Sequence, residues 1–95
     1  MNHTIIEAIE NQSIIEFYYE GELRVVQPYC YGISKAGNNV LRAFQIDGYS
    51  STSKMWWRMY TENEMQQIRS IDENFAPRND YKRGDKDMLK IFIEI

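Results

Sequence analysis

Polar and apolar residues alternate strictly in the segment IIEFYYE, where Ile15, Phe17 and Tyr19 face away from Glu16, Tyr18 and Glu20. That period of two predicts a half-buried strand. Glu20-Gly21-Glu22 supplies a turn, and LRVVQPYCYGI reads as a second strand ending near Gly32. Pro28 lacks an amide hydrogen, so it marks an edge position or a bulge in that strand. KAGNN carries Gly37 and two asparagines, residues that tolerate positive φ, and predicts a hairpin turn into VLRAFQI. Asp47-Gly48 breaks this third strand, YSSTSK is a polar loop, and MWWRMY is a fourth strand. MQQIRSI fits either a fifth strand or a helical turn.

Ahead of the strands, Thr4 and Glu7 form the capping pair T-x-x-E, and Ile5, Ala8 and Ile9 share one helical face. A helix over about residues 5 to 11 follows, too short to persist unless it docks on the strands. Near the other end, FAPRNDYKRGDKD is punctuated by Pro77 and Gly84 and reads as a segment strapped over the surface by Phe75 and Tyr81. The final MLKIFIEI carries two periods. Leu89, Ile91, Ile93 and Ile95 alternate as in a strand, whereas Met88, Phe92 and Ile95 keep helical spacing behind Asp85, and the helical reading is preferred. The pattern as a whole predicts a mainly β (α+β) fold: a short N-terminal helix, then a small, strongly bent antiparallel barrel of four or five strands. A single domain over 1–95 is expected, with the barrel over about 5–70 and a tail over 71–95 packing on it.

The order I-x-x-A-I, I-x-F-x-Y, R-x-V-x-P, a glycine turn, a short apolar strand and W-R-x-aromatic resembles the WYL domain, a bacterial module with an Sm-like barrel. The pieces are Ile5 to Ile9, Ile15 to Tyr19, Arg24 to Pro28, Leu41 to Phe44, and Arg58 with Tyr60. GNNVLRAFQ, GYSS, WWR and R-x-x-Y are similar to a compact, stand-alone branch of that group. The Trp-Tyr-Leu triplet that names the domain falls at Asn39, Val40 and Leu41, and only the leucine is kept. The resemblance implies a role in transcriptional regulation: such domains usually follow a helix-turn-helix domain and are thought to bind nucleic acid or a nucleotide-like ligand and switch it. Whatever is switched here is expected on another chain.

Composition sharpens this picture. With 43% hydrophobic and 26% charged residues the chain is that of a folded domain rather than a disordered segment. No apolar run reaches the ~20 residues of a membrane span, and the start MNHTIIEAIE lacks the basic and apolar segments of a signal peptide, so a cytoplasmic protein is expected. Cys30 is the only cysteine, which excludes an internal disulfide and a cysteine-rich zinc site and reads as a buried inert thiol. The net charge of −3 argues against indiscriminate coating of nucleic acid. Its distribution is uneven: residues 24 to 60 carry Arg24, Lys35, Arg42, Lys54 and Arg58 against the single acid Asp47.

Guanidinium forks grip phosphate or carboxylate oxygens in pairs, and neutral side chains add hydrogen bonds without charge. Arg24, Arg42 and Arg58 lie on strands that are neighbours in a meander, with Gln45, Ser50, Ser51 and Ser53 as neutral partners and Tyr29, Tyr31, Tyr49 and Trp56 as stacking rings. The candidate ligand-binding set is therefore Arg24, Tyr29, Arg42, Gln45, Ser50, Ser51 and Arg58, for single-stranded nucleic acid or a small nucleotide-like anion. Alternation puts Arg42 and Gln45 on opposite faces, so a shared site requires a bulge. The competing reading has the arginines solvated and the aromatics in the core, most strongly for Trp57 and Phe44. A protein-interaction module or homodimer built on sheet edges, with no nucleic-acid ligand, is the alternative function.

Catalysis finds little footing. His3 is the only histidine and sits at the start of the chain, while Glu7, Glu10, Asp72 and Glu73 read as solvated faces. GISKAG lacks the G-K-[ST] ending of a phosphate-binding loop, and DYKRGDKD lacks the spaced acids and closing glutamate of a calcium loop. No enzyme, no metal and no cofactor are expected.

Overall fold

The computed structural model describes every residue of the chain except Ser53. Helix α1 (His3–Asn11) precedes strands β1 (Ser13–Tyr19), β2 (Glu22–Ser34), β3 (Asn39–Gly48) and β4 (Trp57–Thr61). A 3-10 turn (Glu62–Glu64), β5 (Met65–Asn74) and β6 (Met88–Glu94) complete the order. The architecture is mainly β with a short N-terminal helix, as the pattern predicts. It differs in two respects. There are six strands, in the order β4-β3-β2-β1-β5 with β6 beside β2, and the sheet is not closed: among the described residues β4 and β5 end the path without pairing to each other. The 3-10 turn separates these two strands, and β5 is kinked at Gln67 and Asp72, whose φ values are 55° and 63°.

The long β2 is the spine. Glu22–Val26 pair with β1, Cys30–Ser34 pair with β6, and β3 runs along the other edge of both halves. The register slips between Pro28 and Cys30, so Tyr29 is an extra residue opposite the Ala43–Arg42 step. The expected bulge is thus at Pro28, the residue with no amide hydrogen to lose.

The terminal segment is a strand, not the preferred helix. Its ladder joins Cys30 to Glu94 and Gly32 to Ile91, and a helix of eight residues has no comparable partner. The cap of α1 also shifts: Asn2, not Thr4, is the N-cap, and its Oδ1 accepts from the Ile5 N–H at 3.0 Å.

One face of the sheet packs on α1, burying Ile5, Ala8 and Ile9 against Ile15, Phe17, Val26, Tyr31, Leu41, Ala43 and Tyr60. The opposite face gathers Tyr29, Phe44 and Trp57 beneath Phe75 and Tyr81, beside a smaller cluster of Cys30, Val40 and Met88. Burial raises the Cys30 thiol pKa to about 12, helped by the nearby Glu94 carboxylate, which keeps the sulfur protonated. Among the described residues no helix is long and apolar enough to cross a membrane.

At the end of β3, Gly48 has φ 87°, and a Cβ there would lie 2.3 Å from the Leu23 carbonyl oxygen. Gly48→Ala is expected to lower stability by about 2–3 kcal/mol in urea unfolding, from strain and overpacking together. An unchanged midpoint would show that β2 gives way freely at Leu23.

Candidate anion site

Directly opposed residues of neighbouring strands share a face, and successive residues alternate. Ala43 opposes Arg58, while Arg42 opposes Met59. Arg58 therefore projects from the helix-side face and Arg42 from the other. The bulge at Pro28 does not bring them together.

On the helix-side face, Arg24 is 7% exposed. Its Nη2 donates to the Tyr19 carbonyl at 3.2 Å and to Glu20 Oε1 at 3.3 Å, and its guanidinium lies 5.6 Å from the Tyr19 ring centroid and 5.3 Å from that of Tyr49. Glu20 is largely in solvent, so this ion pair compensates the charge weakly. The Nε of Arg24 has no hydrogen-bond partner. Neither has the buried hydroxyl of Tyr60, which neighbours the guanidinium without meeting it in hydrogen-bond geometry. Burial pushes the Tyr60 pKa up to about 12 against the pull of the Arg24 and Arg58 cations, so at neutral pH it is a neutral hydroxyl.

Arg58 organises the loop between β3 and β4. Its Nη2 donates to Ser50 Oγ at 3.1 Å, Thr52 Oγ1 at 3.3 Å and the Lys54 carbonyl at 3.2 Å. Among the described residues no carboxylate pairs with it. Gln45 closes the base of the same loop. Its backbone N–H donates to the Trp56 carbonyl at 2.9 Å, and its Nε2 donates to the carbonyls of Tyr49 at 2.6 Å and Asp47 at 3.1 Å. The amide oxygen of this fully buried side chain has no partner.

Held this way, the loop turns two rings to solvent: Tyr49 is 47% and Trp56 44% exposed, and Lys54 Nζ lies 4.4 Å from the Trp56 ring centroid. The combination suits an anion with an attached planar group. Guanidiniums and a neutral hydroxyl meet the charge, and exposed rings offer stacking faces.

The structure thus brings together Arg24, Gln45, Ser50 and Arg58 of the expected set. Ser51 is exposed in the turn and Ser53 lies outside the described residues. Tyr29 does not join them: it is completely buried, with its ring 4.7 Å from both Trp57 and Tyr81 and 5.4 Å from Phe75, so it has no free face for a base. Tyr31 is likewise core, its hydroxyl bonded to Glu62 and to the Asn2 N–H.

Arg42 is occupied on the far face by acids of the tail. Nε and Nη2 contact Asp85 at 2.7 and 3.4 Å, and Nη2 contacts Asp87 at 2.8 Å. Sequence reasoning missed Tyr60 as a site residue. The signal was present, since Tyr60 stands two residues from Arg58 in a strand and so shares its face.

Burial alone would raise the Asp85 carboxyl, but the Arg42 guanidinium and the Asp87 backbone N–H hold it below the usual carboxylate range. A pKa depressed by folding stabilises above the unfolded value, and that contribution disappears as pH falls through the folded value. Urea midpoints should therefore fall between about pH 5 and pH 2, and the fall should be shallower in Asp85→Asn. Identical profiles would mean the pair adds nothing to folding.

Comparison with protein-family models, curated protein sequences and solved structures finds no match to this chain.

Proposed function

We propose that the chain is a non-enzymatic ligand-binding module that takes single-stranded nucleic acid or a small nucleotide-like anion at the Arg24–Arg58 end of the helix-side face. One observation carries this reading: Arg24, nine-tenths buried, keeps an unpartnered Nε beside the unpartnered hydroxyl of Tyr60. Burying a guanidinium with an unpaired donor is costly, and the Tyr19 and Tyr49 rings beside it offset the charge without giving Nε–H an acceptor. The resemblance to WYL domains in motif order supports the same reading and adds a regulatory role exerted on a partner chain.

The test is an anisotropy titration with short single-stranded DNA and RNA and with mono- and cyclic nucleotides, over a range of salt. Saturable binding is expected, weakening with salt by a log–log slope of about −1.4 if two arginines neutralise phosphates of a single strand. No binding of any probe at low salt rejects the reading.

The alternative is an interaction or dimerisation module. It draws on the unclosed sheet and on Leu89, which is 69% exposed on β6. Light scattering that shows a concentration-dependent dimer, unaffected by loss of Arg24 and Arg58, would favour it.

A further inference from the structure

The face opposite the proposed site holds a cavity of about 270 Å³ lined by Arg42, Trp57, Asp80, Tyr81, Lys82 and Asp85. We propose that this groove is a second, latent site for single-stranded nucleic acid, closed by the chain's own Asp85 and Asp87 acting as stand-ins for phosphate. The proposal rests on the reading that the module binds nucleotide anions, but it concerns different residues and a different face.

The contacts of Arg42 are the first support. Three carboxylate oxygens of two acids surround one guanidinium, Asp85 Oδ2 and Oδ1 at 2.7 and 3.4 Å and Asp87 Oδ2 at 2.8 Å, positions that the non-bridging oxygens of two successive phosphodiesters could take, one for each carboxylate. Only the first acid is committed by burial: the Asp85 side chain is 9% exposed and that of Asp87 is 67% exposed. The second support is aromatic. Tyr81 leans toward Trp57 with ring centroids 6.0 Å apart and planes inclined by 31°, on the side from which a base would approach, while Asp80 Oδ2 accepts from Trp57 Nε1 at 3.1 Å. Acid, ring and acid follow one another along the strap as phosphate and base do along a strand.

The third support is how the strap is attached. Between Phe75 and Met88 the backbone bonds, Tyr81 N–H to Arg78 at 3.2 Å and Met88 N–H to Asp85 at 3.2 Å, stay within the segment. Its hold on the sheet there comes from side chains, including the Arg78 N–H bonded to the Tyr29 hydroxyl at 3.0 Å and the Arg78 guanidinium 3.9 Å from the Phe44 ring centroid. A competing anion can exchange such contacts one at a time without breaking a β ladder.

The experiment is a fixed-salt anisotropy titration of the full chain with fluorescein-labelled oligodeoxythymidylate of about ten nucleotides. It compares wild type, Asp85→Asn/Asp87→Asn, Arg42→Ala, the triple variant and Arg24→Ala. The double variant is expected to bind about tenfold tighter than wild type, because the competent state no longer competes with an internal anion. That gain should vanish in the triple variant. Asp87→Asn alone, which alters only an exposed side chain, should show part of the gain, and near-ultraviolet circular dichroism should match wild type in each variant.

Wild-type binding that depends on Arg24 but is unchanged in the double and single variants overturns the latent site and leaves the proposed function standing. A gain that survives without Arg42 also overturns it, since it then reflects overall charge. Binding confined to the double variant and dependent on Arg42 supports the latent site while rejecting the helix-side reading. Absence of binding in every variant rejects both.

Discussion

Gly32→Ala is expected to destabilise the protein by about 3 kcal/mol or more, the high end for overpacking. A Cβ at this buried position in β2 would lie 2.1 Å from the Lys90 carbonyl oxygen and 2.9 Å from the Ile91 Cα, both of them backbone atoms of β6. A flexible side chain could swing away, but a paired strand cannot yield without losing register. If β6 moves, the Cys30–Glu94 and Tyr31–Ile93 pairs go with it, as does the packing of Met88 on Cys30 and Val40. Urea unfolding should report the loss, and amide exchange at Ile91 and Ile93 should accelerate more than at Ile15. A midpoint within about 0.5 kcal/mol of wild type would mean that β6 tolerates displacement and is not tightly docked.

Arg24→Ala should weaken binding of a nucleotide anion by about a hundredfold, in the range measured when one partner of a buried charged pair is truncated. Arg24→Lys keeps the positive charge but not the fork or the Nε–H, so it should recover little of that loss. The lysine variant also separates the site from the scaffold. The ammonium keeps the charge that the Tyr19 carbonyl and Glu20 meet, so near-ultraviolet circular dichroism of the variant should match wild type. Full binding by Arg24→Lys would reduce the site to a diffuse positive potential. Collapse of its fold would make Arg24 a structural residue.

The helix and the meander of β1 to β4 were legible because local signals agreed there. Glu20 and Gly21 both take positive φ at the first hairpin, Gly37 does so at the second, and Pro28 marks its bulge. The strand β6 was not legible, because what selects it is a ladder to residues such as Cys30, far away in sequence, and a gap at Gly32 that only a glycine leaves open. The candidate site was legible in part for a related reason. Alternation places Arg42 and Gln45 on different faces, and that rule holds between them, the slip in β3 falling later, at Ile46. No local pattern could show that Asp85 and Asp87 already hold Arg42, or that Tyr29, Trp57 and Tyr81 fill one another's faces.

An unclosed sheet ordinarily offers its last strand as a template on which other chains can polymerise. The kinks at Gln67 and Asp72 change what β5 can offer. With both residues in the left-handed region, and register slips on the side facing β1, its amides do not form the long flat row that fibril growth or strand exchange needs. Strand-to-strand association must then begin at β4 or at the outer side of β6, and amide exchange at high concentration should show protection gained there before it is gained along β5.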